Sequence, residues 1–171
     1  MKVIKVNARR TPDQYFKDLI RESANIGDLS EHGNVVKVYA VSFDIEVISE
    51  ALRGDLKRLR DNPPRIIMEY MAGGSLDKYM KGYMSFYSYS WERAVTKAVK
   101  GTAEALVYLH DKGYAHLGVK PQNVSLDKRP KDHSDLLSVN FKLGDLGSAV
   151  RAGNPATQLT TEYAPPRPST T

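Results

Sequence analysis

The chain has no cysteine. Disulfide staples, thiol nucleophiles and cysteine-ligated zinc are therefore excluded. It also has no long apolar run: the opening MKVIKVNARR holds a short apolar stretch interrupted by Lys5, and no later segment approaches the roughly 20 residues a membrane helix requires. A soluble, cytoplasmic protein with no membrane partner is the resulting expectation. Charge of one sign is never concentrated either. Lysine and arginine total 25 against 20 acidic residues, a net charge of +5 with the two signs interspersed. No basic block of the kind that marks a nucleic-acid binder is present, and none is expected as a partner. The run Arg53, Lys57, Arg58, Arg60 is diluted by Asp55 and Asp61 and reads as a solvated helix face. AGGS lacks the Lys-Ser/Thr that follows in a phosphate loop, and no internal repeat is visible.

What is present suits an ordinary globular domain, since 41% of the 171 residues are apolar. KVIKV alternates and is β-branched, as a strand is, and carries Lys5 on one face with Val3. TPDQYFKDLIRESANIGDLS opens with Thr11 at an N-cap and Pro12 at the first helical position, and Tyr15, Phe16, Leu19, Ile20 and Ser23 follow at helical spacing beside Glu22. GNVVKVYAVSF and RIIMEYM read as further strands, separated by a charged stretch that includes a helix and ends in a Pro-Pro turn. WERAVTKAVKGTAEALVYLHDKG places Ala94, Val95, Ala98, Val99, Thr102, Ala105, Leu106 and Leu109 on one face of a long helix that Gly113 stops. The short strand VSL and the segment VNFKLGDLGSAV then read as a hairpin, and the proline-rich tail as loop.

Between that helix and the hairpin lies YAHLGVKPQNVSLD, which concentrates His116, Lys120, Pro121 and Asn123 around Gly118. Taken singly these are ordinary residues: a strand lysine such as Lys5 is usually solvated, a lone histidine such as His116 is usually structural, and Asp145 in GDLG forms a turn. Their order along the chain resembles that of the protein-kinase family, Ser/Thr type and similar to archaeal members. In this resemblance Lys5 and Glu22 are the phosphate-binding lysine and its helix partner, and IIMEYMAGGSL is the hinge. Its Glu69 and Met71 backbone groups would meet adenine behind Met68 as gatekeeper. HLGVKPQNV is the catalytic loop, KLGDLGSA the metal-binding segment with Leu146 in place of phenylalanine, and TTEYAPPR the end of the activation segment.

The resemblance implies a partial bilobal α+β fold: a small antiparallel sheet lobe with one helix, above an incomplete helical lower lobe. One domain over 1–171 is implied, with the upper lobe and hinge at 1–71 and the lower lobe at 72–171. It implies ATP and magnesium as cofactors, Asn123 and Asp145 as the oxygen ligands of the metal, and Lys120 opposite the transferring phosphoryl group. The acid that accepts the substrate proton belongs at position 118, where this chain has Gly118. The glycine-rich loop before Lys5 is lacking, and Arg167 stands where the family has a closing glutamate. The expectation is therefore an ATP-binding pseudokinase or truncated kinase acting through a protein partner. The alternatives are an active divergent Ser/Thr kinase with a protein substrate, to which the lysine of VKPQN points, and a gene fragment without function.

Overall fold

The computed structural model describes residues 2–3, 12–82, 89–131 and 134–154. In chain order the elements are β1 (Lys2–Val3), α1 (Pro12–Leu29), β2 (Val38–Ser42), α2 (Ile45–Leu52), α3 (Lys57–Asp61), β3 (Arg65–Met68), β4 (Gly74–Ser75), α4 (Leu76–Gly82), α5 (Tyr89–Asp111), β5 (Tyr114–Ala115), β6 (Val124–Leu126), β7 (Phe141–Leu143) and β8 (Val150–Arg151). Lys5, Thr11 and Arg167 lie outside the described residues, as does the TTEYAPPR segment.

The upper layer is an antiparallel sheet in the order β1-β3-β2. Helix α1 begins at Pro12, whose missing N–H costs nothing in a first turn. It buries Tyr15, Phe16, Leu19, Ile26 and Leu29. Ile20, expected on that stripe, is 68% exposed; it stands one step beside Leu19, and the neighbouring elements cover a narrower arc than its apolarity suggests. The charged connection between β2 and β3 forms two helices, so this layer carries three helices rather than one. Asp44 caps α2 by accepting from the N–H groups of Glu46 and Val47 at 2.9 and 3.2 Å. Gly54, with a φ of 102°, turns the chain into α3.

The lower layer is built on α5. Its buried residues recur every third or fourth position as Ala94, Ala98, Gly101, Ala105 and Leu109. Gly101 permits a close approach: a Cβ there would lie 2.7 Å from the Asn34 amide nitrogen and 3.3 Å from the Phe141 carbonyl. Val95 and Val99, expected on the core face, are 38% and 63% exposed. They belong to an adjoining stripe that small residues leave out of the core. Gly113, at a φ of 78°, ends the helix by donating to the His110 carbonyl at 2.8 Å.

The expected hairpin is present. β6 and β7 pair with Val124 opposite Leu143 and Leu126 opposite Phe141, so both strands turn the same alternate residues inward. β4 joins this sheet at β6, and β5 pairs with β8. Among the hydrogen bonds that tie the layers together are those from Leu143 N–H to the Asn34 carbonyl at 2.7 Å and from Val36 N–H to the Leu143 carbonyl at 2.8 Å. The main core runs from Leu29 and Val35 through the inner face of α5 to Phe141, Leu143 and Leu146. A second, smaller core lies between α1 and α2–α3.

Candidate functional site

Between the layers, the segment after β3 faces the start of β6 and the end of β7. A cleft of about 330 Å³ is lined there by Met68, Glu69, Met71, Gln122, Asn123, Ser125 and Asp145, among others. Sequence-predicted Glu69, Met71, Asn123 and Asp145 thus share one hollow. Glu22 lines a narrower recess behind it with Met68, Leu146 and Asp145. A Cβ added to Gly147 would lie 3.1–3.3 Å from the Glu22 carboxyl group, so this glycine lets the segment pass close to α1. Lys120 falls on a different hollow, below α5 with Val95, Val99 and Pro121.

The loop 114–123 is held by backbone-directed bonds. The Asn123 side-chain amide donates from its nitrogen to the Gly118 carbonyl at 2.8 Å, which leaves the amide oxygen as the group that can accept, on a residue that lines the cleft. The Asn123 carbonyl accepts from Gly144 N–H at 2.7 Å. His116 is 1% exposed and accepts at Nδ1 from Gly118 N–H (3.1 Å), so its other nitrogen donates to the Gly144 carbonyl (3.0 Å). Burial holds this imidazole below its usual pKa, against the opposing pull of the Gly144 carbonyl and the Asp145 charge.

Leu117 and Asp145 both have left-handed backbones, with φ of 56° and 61°. A non-glycine residue in that region costs free energy. The surrounding bonds meet that cost: Asn25, a buried residue of α1, donates to the carbonyls of Leu146 (3.0 Å) and Ala149 (2.8 Å), directly after Asp145.

Gly118 itself is buried, and a Cβ built on it would lie 2.4 Å from Ser148 Oγ and 3.4 Å from Ser148 Cβ. The serine hydroxyl occupies the space into which a side chain at 118 would grow. No carboxylate stands at this point of the loop.

Beside the segment that follows β3, Lys142 Nζ donates to both carboxylate oxygens of Glu69 at 2.8 and 2.9 Å, in a pair less than one-fifth exposed. The Glu69 N–H donates to the Lys37 carbonyl at 2.9 Å. The Glu69 carbonyl and the Met71 N–H have no backbone partner among the described residues. Neither Lys142 nor Ser148 was marked by the sequence, because nothing local to either residue points to the partner it meets.

Farther from the cleft, Tyr114 donates to Asp28 Oδ2 at 2.6 Å, and Arg151 reaches both Tyr114 Oη (3.0 Å) and Asp28 (3.2 Å). These bonds hold the Asp28 carboxyl below its usual range and join the end of α1 to the β5–β8 pair.

A small sheet with its helices, the segment that follows β3, and a cleft closed from below by a helical layer define the class of protein: an α+β, bilobal, kinase-like fold. The protein kinase domain model matches residues 1–168, and the chain belongs to that family. It is 40% identical to the serine/threonine-protein kinase ArnS of Sulfolobus acidocaldarius, in an alignment covering 97% of this chain and 28% of the relative. It is 34% identical to MAP kinase-interacting serine/threonine-protein kinase 1 of Xenopus tropicalis, over 56% of this chain and 21% of the relative. With the Saccharomyces cerevisiae MAP kinase kinase MKK1/SSP32 the identity is 29%, over 87% of this chain and 25% of the relative. The chain thus spans between a fifth and a third of the length of these relatives. No described helix is long and apolar enough to cross a membrane.

Proposed function

We propose that this kinase-family domain binds ATP with magnesium and transfers phosphate poorly or not at all, acting through a protein partner. The observation that carries this reading is the contrast within one loop. Asn123 keeps its side-chain oxygen available beside Asp145, while position 118 offers no carboxylate and Ser148 fills its place.

The residues of the cleft suit the cofactor. Magnesium prefers hard oxygen donors, and Asn123 and Asp145 bring an amide oxygen and a carboxylate to the same wall. The Glu69 carbonyl and Met71 N–H offer the acceptor and donor that an adenine edge requires. Glu22 adjoins the recess, where it would pair with Lys5. Bound there, ATP–magnesium supplies an activated phosphoryl group and the positive charge that balances it. What the chain does not supply at position 118 is a proton acceptor for an attacking hydroxyl. Proton transfer and alignment by such a group are each worth about 10²-fold or more in rate.

A melting curve with and without magnesium-ATP tests the binding half. The expected result is an upward shift, abolished by Asp145→Ala, because the ligand binds the native state preferentially. Transfer of labelled phosphate tests the other half, and its absence in the native chain is expected. The second reading, an active Ser/Thr kinase, is favoured by the name of the archaeal relative. Label incorporation lost in Asp145→Ala would establish that reading instead.

A further inference from the structure

β2 and β3 are direct antiparallel neighbours, with Ser42 opposite Arg65. Such strands are usually closed by a loop of about two to five residues. Here residues 43–64 fold instead as α2 and α3, and their buried side chains do not serve the sheet. Val47, Ala51 and Leu59, each 2% exposed or less, pack with Tyr15, Phe16 and Leu19 of α1 in a core separate from the main one. Tyr15 and Phe16 meet edge to face at 5.5 Å within it.

Helix α1 consequently has two attachments. Its first half is gripped by α2–α3. Its second half is fastened to the cleft wall, through Asn25 to the carbonyls of Leu146 and Ala149 and through Leu29 in the main core. Glu22 lies between the two. A helix fastened at one end can tilt about that end, and one fastened at both cannot.

The gripping unit is itself braced. Asp44 caps α2, Gly54 makes the turn, and Arg58 reaches back to Glu50 at 2.7 Å.

We propose that α2–α3 is an internal clamp that sets the position of α1, with Val47, Ala51 and Leu59 as positioning residues for Glu22. The inference rests on the nucleotide reading above for its functional consequence, and its structural part can be read without nucleotide. Misplacement of a charged group by about 1 Å is enough to weaken a positioned contact severely.

Leu59→Ala, which empties a fully buried site in the second core, is the test. Amide hydrogen exchange should quicken in α1 from Tyr15 to Glu22 and remain unchanged in α5 and in β6–β7. Magnesium-ATP affinity, measured by titration calorimetry, should fall about threefold or more in the native background and less once Glu22→Gln is already present, because the two changes act through one group. Leu59→Met should restore both readouts. Equal loss of affinity in the two backgrounds, or exchange that rises everywhere or nowhere in α1, overturns the clamp. If the native chain binds no nucleotide the proposed function falls, and the exchange pattern still decides whether the clamp exists.

Discussion

At the scale of single residues, position 118, on which the proposed loss of phosphate transfer rests, is a crowded one. The 2.4 Å approach of a Cβ at 118 to Ser148 Oγ means that Gly118→Asp requires the serine to rotate or retreat. Overpacking of this kind costs about 1–3 kcal/mol. Gly118→Asp is expected to lower the melting temperature, and the double variant with Ser148→Ala to recover most of the loss. If phosphate transfer then emerges in the double variant and not in the native chain, position 118 is the limiting residue. Gly118 was legible in the sequence because it interrupts a recognisable loop; Ser148 was not, because only folding brings it to position 118.

His116 makes the second residue-scale prediction. Its folded pKa lies below the usual 6.5 because it is buried. The unfolded chain therefore takes up the proton first, and stability is lost as pH falls below about 6.5, at up to ~1.4 kcal/mol per unit until the folded value is reached. Chemical denaturation of the native chain from pH 7.5 to 5 should show this slope. In His116→Phe the slope from this group should vanish, while stability at pH 7.5 drops by about 1–3 kcal/mol as Gly118 N–H and the Gly144 carbonyl lose their partner.

At the scale of elements, helix α1 meets the lower layer through Asn25 beside the cleft and Asp28 farther from it, and the segment after β3 meets it through Glu69. Asn25→Leu removes both bonds to the carbonyls of Leu146 and Ala149 and leaves buried acceptors unpaired. The expected loss is about 2 kcal/mol, with a weaker magnesium-ATP shift because Asp145 keeps its left-handed backbone only while the next turn is held. The two readouts are a denaturation curve and a ligand melting shift; loss of the first without the second would separate Asn25 from the cleft. The long helices were the readable elements, since Pro12 and Gly113 mark their ends and their apolar residues recur at helical spacing. Periodicity could not say which apolar residues meet a neighbour, so Ile20, Val95 and Val99 were placed in a core they only border. Short α3 and α4 carry too few turns for a periodic signal, and the Lys142–Glu69 pair joins residues that are far apart in the chain.

At the scale of the whole molecule, two hollows of similar size differ in chemistry. The cleft of about 330 Å³ mixes carboxylate, amide and backbone groups with methionines. The other, about 380 Å³ below α5, is walled mostly by Leu76, Val95, Val99, Leu106, Val119 and Val124. The order of charged and amide residues made the first legible, because each had a neighbour at a recognisable spacing. The second arises from a helix with two apolar stripes, one taken by β7 and the other left facing outward, and a stripe alone does not say which is which. Exposed apolar surface of this kind favours association between chains rather than the fold of one. Val95→Glu with Val99→Lys places an acid four residues before a base on that helix face, a spacing that supports a helix by about 0.2–0.5 kcal/mol. The pair should leave thermal stability and the magnesium-ATP shift nearly unchanged while raising the concentration at which the chain elutes as a monomer in size-exclusion chromatography. A collapse of the melting temperature instead would mean that the outward stripe is part of what holds the lower layer together.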